Sequence, residues 1–256
     1  MVISVSAKRG LFVAPFDELA DPRTLAKLAG EAEARGWDGF FLWDHVNYRA
    51  PTRAVADPWV ALSAIAVATE TLRIGPLVTP LSRRRVQKLA RETVTLDLLS
   101  GGRLTLGVGL GSDRNGELEP FGEVTDPVER ARLLDEGLET LTDLWGGRFE
   151  PVPLQQPRIP VWVAGRWPKR RPLRRAARWD GFFPIDLPGP EALAEFAAEL
   201  RDEGAGPAGN FDLVAETPTG DDPRPWEEAG ATWLLTDFGP TPRLDEIRAA
   251  VEAGPA

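Results

Sequence analysis

The sequence predicts an α/β fold: a single (β/α)8 barrel of parallel strands spanning residues 1–256. Three observations predict it. Eight short apolar runs, each followed by a helical stretch, fill 256 residues, close to the ~250 usual for such a barrel. The dipeptide Asp-Pro recurs at 21–22, 57–58 and 126–127, an N-cap followed by a proline at the first helical position. The turn after the first strand, Ala14-Pro15-Phe16, lacks the glycine fingerprint of a doubly wound open sheet. No linker divides the chain.

The first strand lies within Val2–Val13, with its apolar cluster at Gly10–Ala14. The first helix follows Asp21-Pro22, turns Leu25, Leu28, Ala29 and Ala32 inward, and ends at Gly36. Gly39–Trp43 is the second strand, and the helix from Asp57-Pro58 runs to about Thr71. Leu72–Thr79 is the third strand, stopped by Pro80. Ser82–Leu99 is a long helix with Val86, Leu89, Ala90, Val94 and Leu98 apolar.

Gly101-Gly102 turns the chain into a fourth strand, Arg103–Leu110. A polar, acidic loop, Gly111–Thr125, precedes the helix of Leu134, Leu138, Leu141 and Trp145. The proline-rich connection Pro151–Pro160 leads to a fifth strand, Val161–Ala164, and a basic helix, Pro168–Arg178. Asp180–Ile185 and Pro190–Glu203 form the sixth unit. Phe211–Glu216 with a short helix at Pro225–Ala229 is the seventh, and Ala231–Thr236 with Pro242–Ala253 the eighth.

Composition narrows the chemistry. There is no cysteine, so disulfides, thiolate metal sites and cysteine nucleophiles are excluded. A single histidine, His45, rules out a multi-histidine zinc site, and no metal is expected. A net charge of −9 argues against nucleic-acid or anionic-membrane partners. Without a membrane-spanning run or a signal-peptide pattern, a cytoplasmic protein is expected.

In a barrel the residues following each strand share one mouth. Here that mouth is aromatic and apolar, and the four lysines fall on predicted turns or helices. Asp44-His45 ends the second strand. An imidazole there suits acid, base or donor chemistry near neutral pH, and Asp44 would orient the site or cap a loop. Gly165 to Arg175 carries six basic residues in eleven, between a strand end and a helix start. It reads either as a phosphate-binding turn around Gly165 and Arg166 or as a solvated helix face; Arg174 and Arg175 belong outside. Gly107-Val108-Gly109-Leu110-Gly111 lies within a strand, allowing close approach of a flat ligand or of neighbouring backbone. Glu117 and Glu119, in the loop beyond, are acid/base candidates or solvated carboxylates.

Several stretches resemble the bacterial luciferase-like, flavin-dependent monooxygenases and reductases. They are Glu33–His45 (EARGWDGFFLWDH), Leu72–Leu81 (LRIGPLVTPL), Arg83–Gly111 (RRRVQKLARETVTLDLLSGGRLTLGVGLG), Phe121–Trp145, Pro160–Gly165 (PVWVAG) and Arg174–Pro184 (RRAARWDGFFP). The resemblance implies a barrel binding reduced FMN or the deazaflavin F420 at its carboxyl mouth. It implies His45 beside the ring system and a non-proline cis peptide at Leu77-Val78 or Val78-Thr79 behind it. It implies phosphate at Gly165, Arg166 and Trp167, with Phe12, Trp43, Leu77, Val78, Thr79, Gly109 and Trp233 around the cofactor.

A small organic substrate, a flavin reductase supplying reduced cofactor and a homodimer are further implications. Only about ten residues, Thr217–Trp226, stand where larger members carry a long insertion near strand seven. The expected activity is therefore a monooxygenase or reductase. The alternatives are a flavin-binding protein without turnover, or a phosphate-binding lyase or isomerase barrel.

Overall fold

The computed structural model describes residues 6–205 and 211–255. The strands are β1 (Lys8–Val13), β2 (Gly39–Leu42), β3 (Arg73–Pro76), β4 (Thr79–Pro80), β5 (Leu106–Gly109), β6 (Val161–Arg166), β7 (Gly181–Ile185), β8 (Asp212–Thr217) and β9 (Trp233–Asp237). The helices are α1 (Pro22–Ala34), α2 (Pro58–Ala68), α3 (Val86–Leu99), α4 (Pro127–Asp143), α5 (Arg171–Ala176), α6 (Pro190–Asp202), α7 (Arg224–Glu228) and α8 (Leu244–Ala253).

All strands pair in parallel in the order β3-β2-β1-β9-β8-β7-β6-β5-β4. The two ends of this sheet nearly meet. Ile74 N donates to Arg103 O at 3.1 Å and Thr105 N to Ile74 O at 2.9 Å, which ties β3 to the segment entering β5. Nine strands thus make eight staves, because the third is split.

The sequence reads that stave as one strand, Leu72–Thr79. It is interrupted at Leu77–Val78, whose peptide is cis, and resumes as β4. Glycines make room for the interruption. A Cβ on Gly75 would lie 2.0 Å from Thr105 O, and one on Gly107 2.4 Å from Pro76 O. The glycines of β5 therefore admit neighbouring backbone.

The three Asp-Pro signals behave as read. Asp21, Asp57 and Asp126 are extended N-caps accepting from Arg23 N, Val60 N and Glu129 N, with proline in each first turn. Such caps contribute about 1 kcal/mol each. Arg103 explains the Gly-Gly-Arg stretch: its guanidinium donates to Ala66 O, Thr69 O and Leu72 O and so closes the end of α2. Glu33 on α1 accepts from the backbone N–H groups of Glu70, Thr71 and Leu72.

The core lies between helices and sheet, with a second apolar cluster inside the barrel: Phe12, Phe41, Leu77, Trp162, Phe183, Val214, Trp233 and Leu235. Lys8 corrects one expectation. It begins β1, on neither a turn nor a helix, and its ammonium lies over Trp233, 5.3 Å from the ring centroid.

Candidate active site

The carboxyl ends of the staves form a largely apolar mouth. Trp43, Val78, Ala164 and Ile185, each partly buried, sit above the inner aromatic cluster. Phe12 meets Trp43 at 5.6 Å and Phe183 edge-on at 5.5 Å. Trp233 packs deeper, against Phe41 and Trp162.

His45 follows β2. Its ring contacts Phe16, Trp43 and Tyr48 at centroid distances of 5.9, 5.7 and 5.1 Å. Nδ1 faces Glu117 Oε2 at 2.8 Å. A carboxylate only accepts, so the proton of that bond sits on Nδ1 and Nε2 is the nitrogen left for a ligand. Glu117 is not a solvated loop carboxylate: it is 2% exposed. Its Oε1 accepts from Val46 N at 3.0 Å and Arg83 Nη1 at 3.3 Å. Its spacing from His45 in sequence gives no hint of this contact, because the loop has no periodicity to read.

Asp44 lies one residue earlier and is enclosed. Its carboxylate accepts from Arg83 at 2.7 Å, from Arg84 at 2.8 Å to both oxygens, and from Thr79 Oγ1 at 2.8 Å. Burial alone would raise its pKa. The Arg84 and Arg83 charges and the hydrogen bonds outweigh this and hold it below the ordinary carboxylate range. Asp44 and Thr79 therefore lock β2 to the β4–α3 turn. Arg83 joins the two carboxylates, so one network carries His45, Glu117, Arg83, Asp44, Arg84 and Thr79.

Other predicted residues are also placed by packing. A Cβ on Gly109 would meet Val78 Cγ2 at 2.9 Å, so Gly109 seats the bulge. A Cβ on Gly165 would meet Pro172 at 2.3 Å, so Gly165 lets α5 approach the sheet. Trp167 stacks outward against Phe196 and the Arg170 guanidinium. Arg166 belongs to β6 and pairs with Asp186. Arg174 and Arg175 lie outside and pair with Glu203 and Asp135.

Two acidic groups of the mouth were not singled out by the sequence reading. Glu216 lies one residue before the end of β8 and Asp237 ends β9. Burial, and then the Asp237 and Asp186 charges, push Glu216 up to about 8, with Arg166 opposing. Burial also raises Asp237, opposed by the N–H groups of Gly239 and Phe238. The signal was strand parity: Asp212, Val214 and Glu216 alternate on one face, as do Trp233, Leu235 and Asp237.

Residues 3–222 match the luciferase-like monooxygenase family. The chain belongs to that family. It is 31% identical over 219 residues to the phthiodiolone/phenolphthiodiolone dimycocerosates ketoreductase of Mycobacterium tuberculosis, covering 70% of this chain and 56% of that protein. The chain therefore spans about half the length of the ketoreductases it matches.

Its fold resembles an F420-dependent secondary alcohol dehydrogenase solved with an F420–acetone adduct (TM-score 0.74, 18% identity, 96% of this chain and 99% of that one). It also resembles the long-chain alkane monooxygenase LadA (TM-score 0.67, 21% identity, 84% and 65%). No described helix is long and apolar enough to cross a membrane.

Proposed function

We propose that this single barrel is a reductase that passes a hydride between a reduced deazaflavin or flavin, F420 or FMN, and a small carbonyl compound. One observation carries the reading: His45, fixed by buried Glu117 through Nδ1, leaves Nε2 for a ligand beside Trp43, which packs on the apolar cluster that holds Leu77 and Val78. The named activities of the ketoreductase and the alcohol dehydrogenase support it by analogy.

The residues present fit a flat ring. Phe12, Trp43, Leu77, Val78 and Ala164 offer apolar surface, and Trp43 Nε1 is a buried donor without a partner. The carbonyl edge of such a ring system would supply an acceptor. Arg166, Lys169 and Arg171 follow Gly165 between the end of β6 and the start of α5 and would be the cations for a phosphate. The cofactor would supply the hydride. The chain's own part is to hold the ring on the Leu77–Val78 floor and to orient the substrate oxygen through His45.

Hydride transfer is favoured over oxygen activation by the short connection from β8 to α7, residues 218–223. An oxygen-activating site needs water excluded, and this connection adds little cover. A flavin reductase partner belongs only to the FMN alternative. A homodimer would bury the outer face of α2, where Val60 and Val67 are 63% and 71% exposed, and light scattering tests it.

Titration of the protein with FMN and with F420, oxidised and reduced, followed by tryptophan fluorescence, tests the central reading. Binding of reduced F420 supports it. Binding of reduced FMN with substrate-dependent oxygen uptake would replace it with a monooxygenase. Binding without turnover of any carbonyl would leave a storage protein.

A further inference from the structure

Glu216 is a half-buried acid that the hydride-transfer reading does not use. Val214, two residues before it on β8, lies in the inner cluster of the barrel. Strand alternation therefore turns Glu216 inward as well, one step closer to the mouth. On β9 it registers opposite Leu235, itself in the inner cluster, and Asp237 registers opposite Phe12. Glu216 thus rises among the same apolar walls that surround the proposed cofactor floor.

The charged groups facing it are Asp237 from β9, Asp186 from the turn after β7 and Arg166 from β6. Arg166 is already engaged by Asp186. No described residue hydrogen-bonds or ion-pairs the Glu216 carboxyl. Independently, Asp237 Oδ1 is buried without any partner. Two adjacent staves therefore aim incompletely satisfied carboxyl groups into one apolar space. An ionised carboxylate there would be desolvated beside two like charges, which favours the protonated form.

We propose that Glu216 is a catalytic acid of this mouth, which gives its proton to the oxygen of a carbonyl substrate as hydride arrives at the carbon. This rests on the hydride-transfer reading above. The carbonyl carbon gains a C–H bond and two electrons from the reduced cofactor, which is oxidised. The C=O π pair moves to oxygen. The Glu216 O–H bond breaks as the alcohol O–H forms, and the carboxylate left behind is reprotonated from water. His45 already engages Glu117 through Nδ1, so Glu216 is a proton source that leaves that hydrogen bond intact.

The test uses the isosteric Glu216→Gln and has two arms. In the first, infrared difference spectra of the wild-type protein against the variant are recorded from about pH 5 to 10 without cofactor. A protonated-carboxyl C=O band is expected that titrates near the value burial imposes, about 8. It should move to lower pH in Asp237→Asn, which removes a like charge. In the second, reduced F420 (or reduced FMN, if that binds instead) is mixed with excess cyclohexanone in a stopped-flow instrument. The variant should bind cofactor as the wild type does and transfer hydride ~10²–10⁴-fold more slowly. It should also lose the fall in rate that the wild type shows as pH rises through the titration.

Absence of the band, or a variant rate within about threefold of wild type, overturns the assignment while leaving the hydride-transfer reading standing. A wild-type protein that binds neither cofactor, or binds one and reduces no ketone, sinks that reading, and the catalytic role of Glu216 with it, even if the band is present.

Discussion

Replacing Asp44 with asparagine tests the network beneath His45. The carboxylate takes four hydrogen bonds between 2.7 and 2.8 Å from Arg83, Arg84 and Thr79. The side chains of Asp44, Arg83 and Arg84 are 0%, 5% and 18% exposed. Asn keeps the volume but removes the charge, leaving two guanidiniums around a neutral amide. Removing one partner of a buried ion pair costs ~3–5 kcal/mol.

Arg83 retains Glu117 at 3.3 Å and the Asp44 carbonyl at 2.9 Å, and Arg84 is partly reached by water, so the low end applies, about 3 kcal/mol. At ~2–4 °C per kcal/mol for a chain of this size, Tm should fall by roughly 6–12 °C. Far-UV circular dichroism melts at pH 7, repeated in high salt, measure it. A surface pair would be screened, whereas this loss should persist.

The pKa of Asp44 is depressed in the folded state, so its contribution is present above the unfolded carboxylate range, ~3.9, and lost as pH falls through the folded value. The gap between wild type and variant should therefore close on acidification. A loss below ~1 kcal/mol at pH 7 would refute the account of Asp44 as the charge on which this network depends.

Four further outcomes are expected. Glu117→Gln should disturb the single imidazole signal set in ¹⁵N NMR and slow turnover about tenfold; His45→Ala should leave the fold intact and cost ~10²–10⁴-fold. Gly75→Ala should destabilise strongly, by at least ~3 kcal/mol or to the point of no soluble protein, because its Cβ would stand 2.0 Å from Thr105 O where backbone on both sides is fixed by the sheet. The raised pKa of Glu216 means the folded state holds that proton more tightly than the unfolded chain. Stability should then decline as pH rises from about 4.5 towards about 8, and Glu216→Gln should flatten the decline in denaturant midpoints.

Much of the architecture was legible because it is local. Asp-Pro caps, glycine stops and apolar periodicity are set by a few neighbouring residues, and they recovered the parallel strand-and-helix order of a barrel. The resemblance put the bulge at Leu77-Val78 or Val78-Thr79, and the folded chain has it at Leu77-Val78. Strand limits shifted where pairing decides them: Arg166 is strand, not loop, because β6 and β7 pair through Arg166 and Ile185.

The site was only half legible. Composition alone singled out His45, the one imidazole, and the strand end placed it at the mouth. Its partner Glu117 lies 72 residues away in a loop without periodicity, so only the folded chain could join them. Trp167 and Gly165 were expected to hold phosphate; helix packing turns Trp167 outward against Phe196 and uses Gly165 for clearance. Glu216 and Asp237 carry no sequence motif, and their significance comes from lying half-buried beside one another. Sequence by itself determined the repeating units, the absence of thiol and multi-histidine chemistry, and the family. Tertiary structure decided which carboxylates are enclosed and which remain available, because desolvation and charge pairing depend on groups that only closure of the barrel brings together.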